Sequence, residues 1–146
     1  MKRRILVATD GSEAADRAVN YAASLAKREG ADLLIVNIIG GYGLPDKAMM
    51  RLSQSEQVWL KELLESLSAE TLTKARARVQ GAGAAAIQLE SRAGDVAQSV
   101  IDIAKEKGAD VIVVGKRGAG PLVRLLLGSV SHKLVNLAAL PVIVIP

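Results

Sequence analysis

Five short apolar runs, separated by segments with helical periodicity, constrain this chain more than any other feature. The runs are Arg4–Ala8, Leu33–Ile39, Ala84–Leu89, Val111–Gly115 and Val142–Ile145. A strand with one wet face alternates apolar and polar residues, whereas a continuous apolar run marks a strand buried on both faces, as in a parallel sheet between helices. Four intervening segments read as helices. The first, Ser12 to Glu29, lines up Ala14, Ala15, Ala18, Val19, Ala22, Leu25 and Ala26 on one broad face. The second, Gln54 to Gln80, carries an apolar stripe of Trp59, Leu60, Leu63, Leu64, Leu67, Leu72, Ala75 and Val79. A third is capped by Asp95 and runs through Lys107, and a fourth spans Ser129 to Ala138. Strand and helix in alternation predict a single doubly wound α/β domain over residues 1–146.

A local repeat supports this reading. Ala26-Lys27-Arg28-Glu29-Gly30-Ala31-Asp32 is echoed by Ala104-Lys105-Glu106-Lys107-Gly108-Ala109-Asp110. Each copy ends a helix on glycine, turns and feeds an apolar run, which is ordinary cap chemistry and reports architecture.

Composition narrows the function classes. The 146 residues include no cysteine, which removes disulfides, thiolate metal sites and cysteine nucleophiles. Apolar runs far shorter than a membrane span, with no leader-like segment behind Met1-Lys2-Arg3-Arg4, lead us to expect a cytoplasmic protein with no membrane insertion. The net charge is +4, but the basic residues are scattered and the aromatics are only Tyr21, Tyr42 and Trp59. A single-strand nucleic-acid surface uses aromatic platforms, so nucleic acid is disfavoured as a partner.

The informative segment is Gly115-Lys116-Arg117-Gly118, nine further residues, then Gly128-Ser129. It joins the fourth apolar run to the last helix, at the edge where open α/β sheets bind ligands. Glycines let backbone N–H groups approach a phosphate, and the helix starting at Ser129 offers unpaired donors and a partial positive charge. Ser129 and Ser131 bring hydroxyls, and Lys116, Arg117 and Arg124 bring cations. No Walker loop and no Gly-x-Gly-x-x-Gly follows the first run, which continues instead into Ala8-Thr9-Asp10-Gly11-Ser12. Asp10 at that mouth is placed for a ribose, an adenine amino group or a phosphate-bound metal, or simply to bond its own backbone in a turn.

With these residues in view, the chain resembles the universal stress protein family, and in particular its ATP-binding branch. The likeness covers essentially the whole length: Ile5 to Ser12, Gly108 to Gly115, the glycine segment, Gly128-Ser129-Val130-Ser131, and Pro141 to Ile145. It implies a five-stranded parallel sheet of order 3-2-1-4-5 and a homodimer through the C-terminal strand. It also implies that Ala8, Thr9 and Asp10 border adenine and ribose, with Ile38 packed on the adenine. Gly115, Lys116, Arg117, Gly118, Gly128, Ser129, Val130 and Ser131 would hold ribose and phosphates. The expected cofactor is ATP, with Mg2+ or Mn2+ bound through its phosphates. Position 116 departs from the family's frequent small polar residue, and the Gly40–Ser53 connection is idiosyncratic.

Three readings stay open on the sequence: a nucleotide-binding stress or signalling regulator that switches by occupancy, a slow ATPase or autophosphorylating protein on the same site, and a dimeric interaction module. No residue is an evident general base. His132, the only histidine, sits on the first turn of the last helix, where a solvated side chain is the plainer expectation.

Overall fold

The structure, a computed structural model, describes residues 2–40, 48, 50–116 and 128–146. Within them the elements follow in the order β1 (Arg4–Ala8), α1 (Glu13–Glu29), β2 (Asp32–Ile39), α2 (Gln54–Val79), β3 (Ile87–Ala93), α3 (Val96–Lys107), β4 (Val111–Gly115), α4 (Ser129–Leu137) and β5 (Val142–Ile145). Caps set several of the boundaries. Ser12 Oγ accepts the Ala15 N–H at the start of α1, and Gly30 ends it at φ 62° and ψ 34°. The repeat seen in the sequence is this cap used twice, since Gly108 ends α3 at φ 66° and ψ 41°. Only glycine takes that left-handed conformation without a steric penalty.

All five strands are parallel, in the order β3-β2-β1-β4-β5. Residues alternate between two cores. Ile5, Val7, Leu33, Ile35 and Val113 pack against α1 and the C-terminal half of α2. Leu6, Leu34, Val36, Ile38, Ile112 and Val114 pack against α3 and Leu134 of α4. Removing strands from water on both faces is what made the sequence runs continuous. Among the described residues, no helix is long and apolar enough to cross a membrane.

Two expectations need correction. The third strand is Ile87–Ala93, not Ala84–Leu89. It lies at the sheet edge and admits polar residues because ion pairs satisfy them. Arg92 meets Glu90 at 2.8 Å and Glu106 of α3 at 2.7 Å. The stripe on α2 is also only half a core: Leu72, Ala75 and Val79 are buried, but Trp59 is 64 % exposed and Leu63 and Leu67 are about two-fifths exposed. Length explains this. The 26 residues of α2 run roughly 39 Å at about 1.5 Å each. The eight of β2 run only roughly 26 Å. Ser68, midway along α2, already sits over Asn37 near the end of β2, so the helix's first half extends past the sheet.

Candidate functional site

Chains leave β1 and β4 toward opposite faces of the sheet, and the crevice between them opens at the carboxyl rim. The pair Val7 and Val113 is in register, and two residues further on Thr9 comes level with Gly115. Ala8 and Ile38 point to the same face, and Ile38 is 7 % exposed within the core shared with α3 and α4. Thr9 is fixed on several sides. Its N–H donates to Val36 O at 2.9 Å, and its Oγ1 accepts the Gly11 N–H at 3.1 Å. Asp10 is exposed, and its Oδ1 accepts the Ser12 N–H at 2.9 Å, which forms the Asx turn anticipated as the plainer role for this residue.

The second wall is built from β4 and α4. The Lys116 N–H extends the pairing of β4 by donating to Ile145 O at 2.6 Å, and the Gly128 N–H donates back to Lys116 O at 2.7 Å. The two ends of the glycine segment therefore meet. Arg117, Gly118 and Arg124, assigned from the sequence to the phosphates, lie outside the described residues. Gly128 occupies the N-cap of α4, and among the described residues no side chain caps the helix. The first-turn amides of Ser129, Val130 and Ser131 have no acceptor within the helix. The helix dipole adds roughly half a positive charge at this end. Ser129 is exposed, so an anion has access to it.

Ser131 plays a part its residue type did not foretell. It is 2 % exposed, and its Oγ donates to Gly115 O at 2.6 Å and lies 3.0 Å from Lys116 O. Its single hydrogen ties the helix to the end of β4 and keeps the two walls together. Gly115 likewise has a packing reason. A Cβ there would lie 2.9 Å from Ala14 C and 3.0 Å from Ala14 O and Ala15 N, so the first turn of α1 fills the space a side chain would need.

A second cleft of about 390 Å³ opens on the other side of the β1–α1 turn, between α1 and α2. Four of its charged lining residues pair with one another, Arg78 with Asp16 at 3.0 Å and Lys74 with Glu70 at 3.0 Å. The site also depends on residues that sequence reasoning passed over. The Asn37 Nδ2 donates to Thr9 O at 2.8 Å, and Ser68 Oγ donates to Asn37 Oδ1 at 2.6 Å. The available signal was an asparagine interrupting Leu33-Leu34-Ile35-Val36 and Ile38-Ile39.

Known proteins resemble this chain in sequence and fold. The chain is 31 % identical to Universal stress protein YxiE of Bacillus subtilis, over 99 % of this chain and 99 % of that one. Among solved structures, UspA from Lactobacillus plantarum superposes with a TM-score of 0.82 at 28 % identity, covering 99 % of this chain and 97 % of that one. The universal stress protein from Archaeoglobus fulgidus in complex with dAMP aligns at TM-score 0.67 and 26 % identity, over 99 % of this chain and 98 % of that one. The sequence profile of the Universal stress protein family matches residues 1–146, and the chain belongs to that family.

Proposed function

We propose that this chain belongs to the ATP-binding branch of the family, holds an adenine nucleotide at the carboxyl rim and acts as a stress-response or signalling regulator through occupancy of that site. One observation carries the reading: among the described residues α4 begins at Gly128 with no side-chain cap, so its first-turn donors have no acceptor within the helix and suit an anion. The solved Archaeoglobus fulgidus relative in complex with dAMP lends support from outside the chain. In this assignment Ala8, Thr9 and Asp10 border adenine and ribose, and Ile38 packs on the base. Gly115, Lys116, Arg117, Gly118, Gly128, Ser129 and Val130 surround ribose and phosphates, while Ser131 keeps strand and helix at the right separation. Mg2+ or Mn2+ would be held through the phosphates. Among the described residues no group of three or more His, Cys, Asp or Glu is placed to hold a metal.

The same reading includes a homodimer through β5. That strand is a sheet edge with Val142, Ile143, Val144 and Ile145 all half-buried, and Val135 and Leu137 on α4 are 50 % and 60 % exposed. Proteins tend to cover such edges.

Native mass spectrometry of gently purified protein, followed by titration with ATP, tests the nucleotide. A co-purified adenine nucleotide or saturable binding supports it. No bound nucleotide together with no binding at millimolar ATP overturns it. Ser129→Asp sharpens the test, because a carboxylate on the first turn favours the helix dipole yet repels phosphate. We expect unchanged or slightly raised thermal stability and an ATP affinity reduced at least ~10-fold, given the size of like-charge repulsion at contact distance.

A further inference from the structure

At the carboxyl end of the sheet, on the face covered by α2, one polar chain replaces the apolar core. Asn37 and Ser91 are register partners on β2 and β3, and Ser68 of α2 lies over both. Asn37 is 4 % exposed and Ser68 is fully buried. Burying such groups is costly unless each finds a partner, and here each does. Ser68 Oγ donates its only hydrogen to Asn37 Oδ1 at 2.6 Å. The 2.7 Å contact between Ser68 Oγ and Ser91 Oγ must then be a bond donated by Ser91. The Asn37 Nδ2 passes the series on to Thr9 O at 2.8 Å. The relay thus runs one way, from the exposed edge strand through α2 and β2 to the backbone at the end of β1.

An apolar residue at position 37 would have continued the run from Leu33 and cost nothing in solvation. The amide does what an apolar residue cannot, which is to grip a backbone carbonyl just beyond β1. The Thr9 carbonyl belongs to the Thr9–Asp10 peptide. With Val36 O holding the Thr9 N–H, both polar groups flanking that residue are fixed by β2.

We propose that Asn37, oriented by Ser68, is a positioning residue for the adenosine half of the nucleotide site, acting through its hydrogen bond to the Thr9 carbonyl. The inference rests on the nucleotide reading above and adds a division of labour. Asn37 orders the β1 turn that borders adenine and ribose, and the phosphate wall at α4 stands independently of it.

The test uses the doubly substituted chain Asn37→Leu/Ser68→Ala. Replacing both partners by apolar groups keeps the core filled and leaves neither of the two unpaired, while Thr9 O loses its donor, which lowers stability somewhat. AMP, ATP and inorganic tripolyphosphate are titrated against wild type and variant. We expect AMP and ATP affinity to fall together by about tenfold, the value of one hydrogen bond, while tripolyphosphate affinity stays within about twofold, as an independent phosphate wall requires. Ser68→Ala alone, which leaves Asn37 in place but unheld, should weaken AMP by about threefold. Val79→Ala, elsewhere on α2, should lower Tm without changing AMP affinity, which separates positioning from general loss of stability. In ligand-free protein the Asp10 and Gly11 amide resonances should move in the double variant. The proposal is overturned if the double variant binds AMP as wild type does, if tripolyphosphate weakens in step with AMP, or if those resonances stay put. A wild-type chain that binds neither AMP nor ATP overturns the nucleotide reading itself, and this inference with it.

Discussion

At Gly115 the missing side chain makes room for a neighbour's backbone. The three atoms a Cβ would meet at 2.9 to 3.0 Å all belong to the main chain of Ala14 and Ala15. Backbone in the first turn of a capped helix gives way far less readily than the end of a flexible side chain. Gly115→Ala is therefore an overpacking substitution, expected to destabilise by about 1–3 kcal/mol. Denaturant unfolding should show a lower midpoint with an unchanged slope. A midpoint equal to wild type would mean that α1 shifts freely, against the close approach seen. Ser131 teaches a related lesson. Its hydroxyl looked like a phosphate donor by type and position, yet it closes the joint between β4 and α4 from within.

Helix α3 shows how local capping and long-range packing combine in one group. Asp95 caps it by accepting the Gln98 N–H at 3.0 Å and lies 3.4 Å from Lys133 of α4. The Gln98 N–H holds the Asp95 carboxyl below its usual value of 3.8; desolvation opposes this and Lys133 reinforces it. A carboxylate with a depressed folded-state pKa adds stability that is complete above the unfolded value and is lost as pH falls through the folded one. In Asp95→Asn the cap acceptor remains but the charge is gone. Tm measured from about pH 6 down to about pH 2 should fall less steeply below about pH 4 in the variant than in wild type, by this linkage. Parallel acid limbs would show that the pairing adds nothing. This cap was legible from the sequence, as were Ser12 and Gly30, because a cap is satisfied within three or four residues. The end of β3 was not legible. Glu90, Ser91 and Arg92 belong to a strand only because Glu106, Lys107 and Ser68 arrive from elsewhere in the chain to satisfy them.

For the whole molecule, the open question is what covers β5. Sedimentation velocity across micromolar concentrations should give a dimer mass with a frictional ratio typical of a compact particle. A monomer at 100 µM, far above the dissociation constant of an ordinary specific interface, would overturn pairing through that edge. The same scale separates the two halves of the candidate site. The end of β4 and the start of α4 were readable because a strand end and a helix N-terminus bracket a glycine-bearing stretch of sequence. The proposed adenosine half draws on β1, β2, β3 and α2, and the positioning residue proposed for it, Asn37, reads along the chain as no more than a polar interruption.

The order of apolar runs and helical segments, together with the capping residues, was enough to determine the fold class, because each depends on interactions between near neighbours. Only the tertiary structure decided that α2 overshoots the sheet, that Gly115 yields its space to α1 and that Ser131 faces inward. It alone placed Ser91, Ser68 and Asn37 in series behind Thr9. Those outcomes depend on which distant backbone or side chain comes within about 3 Å, the reach of a hydrogen bond or a steric contact. A one-dimensional pattern carries no such distances.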